Sequence, residues 1–147
     1  MDLTVYIAIY GALLSTIAVG WNIYNNLQDK SKVRVETNFG FMFPDKENKQ
    51  FFFIKAINYG RRPVHLSSFG LRSDNDDVID PLPSSGLPCE LKPSSSHTEW
   101  FDMEKLKKHR DRKFDFAWYR DETGKLYKSK SIKNKFNNYF KSLKLTS

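Results

Sequence analysis

The chain has 147 residues, room for one domain plus an anchor, and it is aromatic-rich at 15% with 12 Phe. Its only cysteine, Cys89, excludes an internal disulfide and leans towards a reducing compartment. The net charge of +7 is lopsided: residues 1–29 carry −2, 30–60 carry +3, 61–100 carry −2 and 101–147 carry +8. Such a field attracts anionic partners, whether lipid headgroups, nucleic acid or acidic protein, without choosing among them.

No charged residue occurs from Leu3 to Gln28. The 22 residues from Leu3 to Tyr24, as a helix, would span roughly 33 Å, the thickness of a hydrocarbon core with slight tilt. Tyr6 lies near one end and Trp21 and Tyr24 near the other, where amphipathic rings favour the interface. Residues 1–28 are therefore expected to be a transmembrane anchor. A cleaved signal peptide is the alternative, with Ala18-Val19-Gly20 as its small-x-small triplet. Against it, the Met1-Asp2 flank lacks the positive charge that signal peptides carry. Lys30, Lys32 and Arg34 follow the span, so the N-terminus is expected outside and the domain in the cytoplasm, at a cell inner membrane. Ala8, Ala12, Thr16 and Gly20 recur every four residues. Small residues at that spacing let helices approach closely in lipid, so a homo-oligomer through this face is one expectation, and ordinary transmembrane composition is the other.

Residues 29–132 read as a β-sandwich. Val33, Val35, Thr37, Phe39, Phe41 and Phe43 alternate with polar or small neighbours, which is a strand with one buried face. Gln50 to Asn58 is apolar on both sides and is expected at the centre of a sheet. Tyr59-Gly60-Arg61-Arg62-Pro63 turns the chain into Val64 to Arg72, where a change of phase predicts a bulge near Ser67-Ser68. The polar stretch 73–97 leaves room for short strands at Val78-Ile79 and Glu90-Leu91. His97 to Phe101 is another strand, and Asp102 is placed to cap a short helix through His109. Phe114, Phe116 and Trp118 mark a strand that Asp121-Glu122-Thr123-Gly124 turns into a partner, Lys125 to Ile132. The expected architecture is mainly β: an immunoglobulin-like antiparallel sandwich, or a partly open barrel, with a C-terminal amphipathic helix over residues 133–147.

Several segments in this order carry a resemblance: the uncleaved N-terminal helix, Val33-Arg34-Val35, Asn58 to Val64, Leu82-Pro83 and Leu87-Pro88, and the hairpin from Trp118 to Tyr127. Together they resemble small membrane-anchored proteins of bacteria and their phages. The resemblance implies an immunoglobulin-like sandwich at a bacterial membrane and carries over no functional residue.

Chemistry is sparse. His65, His97 and His109 have no second ligand at metal-binding spacing. Ser94-Ser95-Ser96-His97 reads as a polar loop rather than a nucleophile and base, because sequence neighbours on extended chain face opposite ways. Asp74, Asp76, Asp77 and Asp80 hint at calcium, but Ile79 and Ser85 stand where the calcium loop needs Gly and Glu. No enzyme, cofactor or metal is expected. Arg61 and Arg62 beside Tyr59 are candidate contacts for an anionic ligand, with a solvated turn as the plainer reading. Phe136, Tyr139, Phe140 and Leu143 form one helical stripe, flanked by Lys133, Lys135, Lys141 and Lys144, further candidate anion contacts. That helix is expected to dock on the sandwich, lie on the inner leaflet or meet another partner. The function expected is a membrane-anchored interaction or sensing module with a protein partner. The alternatives are a tethered nucleic-acid- or anionic-ligand-binding domain, disfavoured because the strands show no evident exposed aromatic platform, and a small effector that oligomerises through its anchor.

Overall fold

The computed structural model describes residues 2–42, 49–74, 77–78, 86–109 and 111–145. A 26-residue helix, α1 (Leu3–Gln28), is long and apolar enough to cross a membrane and buries none of its residues. Two antiparallel sheets follow. The first has three strands in the order β1 (Val33–Phe41), β2 (Gln50–Asn58) and β6 (Ser96–Asp102). The second is built on β3 (Val64–Ser73) and β7 (Phe114–Asp121). β4 (Asp77–Val78), β5 (Cys89–Leu91) and β8 (Leu126–Lys128) complete it. A five-residue helix, α2 (Met103–Lys107), and a C-terminal helix, α3 (Lys133–Leu145), complete the described chain.

The period-two pattern of β1 and the doubly apolar β2 produce the expected pairing, Val33 opposite Asn58 through Phe41 opposite Gln50, with β2 central. Phe43, read as the end of β1, lies outside the described residues, as do Ile79 and the Leu82-Pro83 pair. The bulge appears where the phase changes, between Leu66 and Ser68, and returns Phe69 and Leu71 to the core. A second shift separates Arg72 from Ser73. Asp102 caps α2 by accepting the Glu104 N–H at 2.8 Å. α2 is shorter than expected, ending at Lys107, although the His109 N–H still reaches the Leu106 carbonyl. β8 is also shorter than expected. The Ser129 hydroxyl takes the Ala117 N–H at 3.0 Å, which displaces the backbone carbonyl from the ladder there.

Val35, Phe52, Ile54 and Ala56 of the first sheet meet Val64, Leu66, Leu71, Ala117 and Tyr119 of the second in one core. The buried Tyr119 hydroxyl donates to the Ile54 carbonyl at 2.8 Å and so ties the two sheets together. Burial, then the charge of Glu99, pushes that phenol far up, so it stays a donor at every working pH. α3 closes one end of the core. Phe136 is buried with ring-centroid distances of 4.8 Å to Phe52, 4.9 Å to Phe114 and 5.5 Å to Phe39. Tyr139 stacks on Phe39 at 5.4 Å, and Phe140 is half-buried beside them. The side chain of Leu143 lies outside the described residues.

Candidate interaction surfaces

The sandwich has two dissimilar ends, set by strand register. One lies where α1 enters: β1 begins at Val33, β2 ends at Asn58, β3 begins at Val64 and β6 begins at Ser96. Phe39 and Phe52, where α3 plugs the core, lie six residues away along β1 and β2, about 20 Å at 3.3 Å per residue.

At the α1 end Asn58 is fully buried, and both ends of its amide are bonded. Its Nδ2 donates to the carbonyls of Arg62 at 2.7 Å and Leu91 at 3.0 Å, and its Oδ1 accepts the Gly60 N–H at 3.0 Å. The turn so held accepts the segment leaving α1. The Tyr59 and Arg61 N–H groups donate to the carbonyls of Lys32 and Lys30. Gly60 lies so close that a Cβ there would collide with the backbone of Lys30 and Lys32, which cannot yield as a side chain can. Arg62 donates through Nη2 and Nε to Asp29 at 2.8 and 3.0 Å. The domain is thus clamped to the residues immediately following α1. Next to the clamp, Asp121 organises the β7–β8 turn. Its burial would raise its pKa, but the Thr123 hydroxyl, the Lys125 N–H, the Tyr127 hydroxyl and the Thr123 N–H hold it below its ordinary value.

The candidate cations do not converge. Arg61 and Arg62 sit in the clamp, and the ring of Tyr59 is taken by Arg34 at 5.4 Å. Lys133 and Lys135 sit at the far end. Lys133 pairs with Asp115 at 2.7 Å, and Lys135 donates to the Thr37 carbonyl at 2.6 Å. Lys141 is exposed on α3, and the side chain of Lys144 lies outside the described residues. One anion site spanning all six is excluded by that separation. Of the stripe on α1, Ala8, Ala12, Thr16 and Gly20 are all exposed, and the Thr16 hydroxyl bonds back to the Ala12 carbonyl at 2.8 Å. His97, from the Ser-rich loop, faces Glu99 at 2.8 Å, and the buried Glu99 carboxylate also accepts the Gly86 N–H at 2.9 Å.

A partly exposed aromatic face, which the strand pattern hid, lies on the outside of the first sheet. Phe51, Phe53, Lys55 and Ile57 point away from the core, and cross-strand register sets Asn38 and Trp100 on either side of Phe53. Phe51, Phe53 and Trp100 are all partly exposed. A Cβ on Gly40 would come within 2.9 Å of the Phe53 ring, so glycine there lets that ring lie against β1. A shallow groove of about 460 Å³ runs beside it, lined by Glu36, Asn38, Gly40, Phe53, Lys55 and Thr98. The face is electrically balanced, with Arg34 and Lys55 offsetting Glu36 and Asp102. No protein-family model matches this chain, and no curated protein matches it either.

Proposed function

We propose that this chain is a membrane-anchored, non-enzymatic interaction module of immunoglobulin-like build. In this reading α1 crosses a bacterial inner membrane with its N-terminus outside, and the cytoplasmic sandwich offers the outer face of β1, β2 and β6 to a protein partner. The observation that carries it is the partly exposed set of Phe51, Phe53 and Trp100 on a charge-balanced face. Aromatic residues are enriched where protein interfaces bury their centres, and charged residues are depleted there. Nucleic-acid recognition would also use stacked rings, but it needs a positive field beside them to meet phosphates. On this face Lys55 stands opposite Glu36 and Asp102 stands opposite Phe51, so no positive field lies across the rings.

A photo-crosslinking residue at Phe53 of the full chain in its native membranes tests this. A discrete protein adduct that survives nuclease is expected, with none from the same residue at Arg72 on the other sheet. A nuclease-sensitive adduct, or no adduct from Phe53, would overturn the protein-docking reading. A C-terminal fusion to an enzyme active only in the periplasm should stay silent, and strong activity would reverse the topology.

A further inference from the structure

The clamp has a consequence for the surface around it. Lys30 lies two residues beyond α1 and six beyond Tyr24, within reach of the headgroup layer that flanks a hydrocarbon core. Because Tyr59, Gly60 and Arg61 are bonded to the backbone of Lys30 and Lys32, the β2–β3 turn is held at the same depth. The Lys92-to-Ser95 turn joins it, since the Asn58 N–H donates to the Ser95 carbonyl and the Ser94 N–H to the Asn58 carbonyl. Lys30, Lys32, Arg61 and Lys92 are therefore gathered at one end of the sandwich, and all four are exposed. Tyr59 stands among them, 57% exposed, an amphipathic ring of the kind that favours the headgroup level. Of the acidic groups there, Asp29 is bonded to Arg62 and Asp121 is enclosed by its turn, while Glu90 and Glu122, both beside His65, are exposed at the edge.

We propose that this end of the sandwich is a docking face for anionic lipid headgroups, with Lys30, Lys32, Arg61 and Lys92 as the contact cations. The partner is fixed by position. These cations lie where α1 delivers them, and a negatively charged leaflet attracts Lys and Arg only within about a Debye length, some 8 Å. Lys133, paired with Asp115, and Lys135, bonded at Thr37, sit roughly 20 and 13 Å further along the strands and lie outside that range. Docking by this face would stand the sandwich upright, keeping Phe51, Phe53 and Trp100 accessible.

The inference rests on α1 lying in a bilayer, and one experiment separates the two. The full chain is reconstituted into phosphatidylcholine vesicles doped with acyl-brominated phosphatidylglycerol or with acyl-brominated phosphatidylcholine. Bromine on the acyl chains quenches Trp21, which is 65% exposed near the domain end of α1, and not Trp100 or Trp118, which lie within the domain. Quenching severalfold stronger by the anionic lipid is expected, falling to parity near 1 M salt, where screening acts over about 3 Å. The variant carrying Lys30→Gln, Lys32→Gln, Arg61→Gln and Lys92→Gln should lose the preference. A variant carrying Lys133→Gln and Lys141→Gln should keep it. Equal quenching by both lipids in the parent chain overturns the docking face alone, as does a preference that survives the fourfold variant or is lost in the α3 variant. Quenching of Trp21 by neither lipid overturns the membrane placement of α1, and the docking face with it.

Discussion

The α1 end of the sandwich is organised around hydrogen-bonded polar side chains, Asn58 and Asp121, whereas the far end is organised around stacked rings, with Phe136 against Phe39, Phe52 and Phe114. Hydrogen bonds are directional, and a buried one left unmade is costly, so they fix the angle at which a segment leaves a domain. Apolar packing is non-directional and scales with area, so it closes a core without dictating orientation. The difference teaches where precision is needed. Directional bonds in a buried turn hold the segment leaving α1, while α3 is held by packing, with Lys133 and Lys135 reaching Asp115 and Thr37 from its exposed side.

The largest effect should come from emptying the far end. Phe136→Ala removes a buried ring from four aromatic neighbours, and such truncations cost about 3–5 kcal/mol. The melting temperature of the full chain in detergent should fall by roughly 10 °C or more, read by loss of β circular dichroism. An unchanged melt would mean that α3 does not close the core.

Asn58→Ala should come next, at about 2–4 kcal/mol, because the Gly60 N–H and two carbonyls lose partners in a buried turn. The distinguishing readout is local. Hydrogen exchange should accelerate at Tyr59 and Arg61, whose amides bond to the segment after α1, while α3 stays protected. Acceleration spread evenly over both ends would show that the two are one cooperative unit.

These predictions also mark what was legible in the residues. β2 is found at the bounds its pattern gives, and the bulge at Ser67-Ser68 falls where the apolar phase switches, because both are local signals of period two. The stripe on α3 was equally readable. Asn58 was not, since its partners Arg62 and Leu91 are brought together only by the β2–β3 turn and the pairing of β3 with β5. Phe51 and Phe53 were read with a strand apolar on both sides, yet no layer covers that side of β2 among the described residues. Their exposure is a property of the stacking of sheets, which no strand encodes alone. The scatter of the six candidate cations to opposite ends was hidden for the same reason.

A smaller effect is expected from acid. Asp121 is held below its ordinary pKa, so its contribution is complete above the unfolded carboxylate value near 4 and is lost as pH falls through the folded value. The chain should lose stability between about pH 5 and pH 3, and Asp121→Asn should flatten that slope. A slope unchanged by the substitution would place the acid sensitivity elsewhere. The smallest effect should come from Arg62→Ala. Its pair with Asp29 is exposed, and such pairs contribute little once solvent screens them. Melting should be unchanged within error, and a clear loss would show that the ion pair, rather than Asn58 and Gly60, holds the clamp.

The central claim is that α1 holds this sandwich at a membrane, and alkaline carbonate extraction of Leu14→Arg tests it most directly. A charge at mid-span costs about 2.5–3.5 kcal/mol on insertion scales. The parent chain should stay in the membrane pellet and the variant should appear in the supernatant, whereas a variant that stays in the pellet would contradict the account.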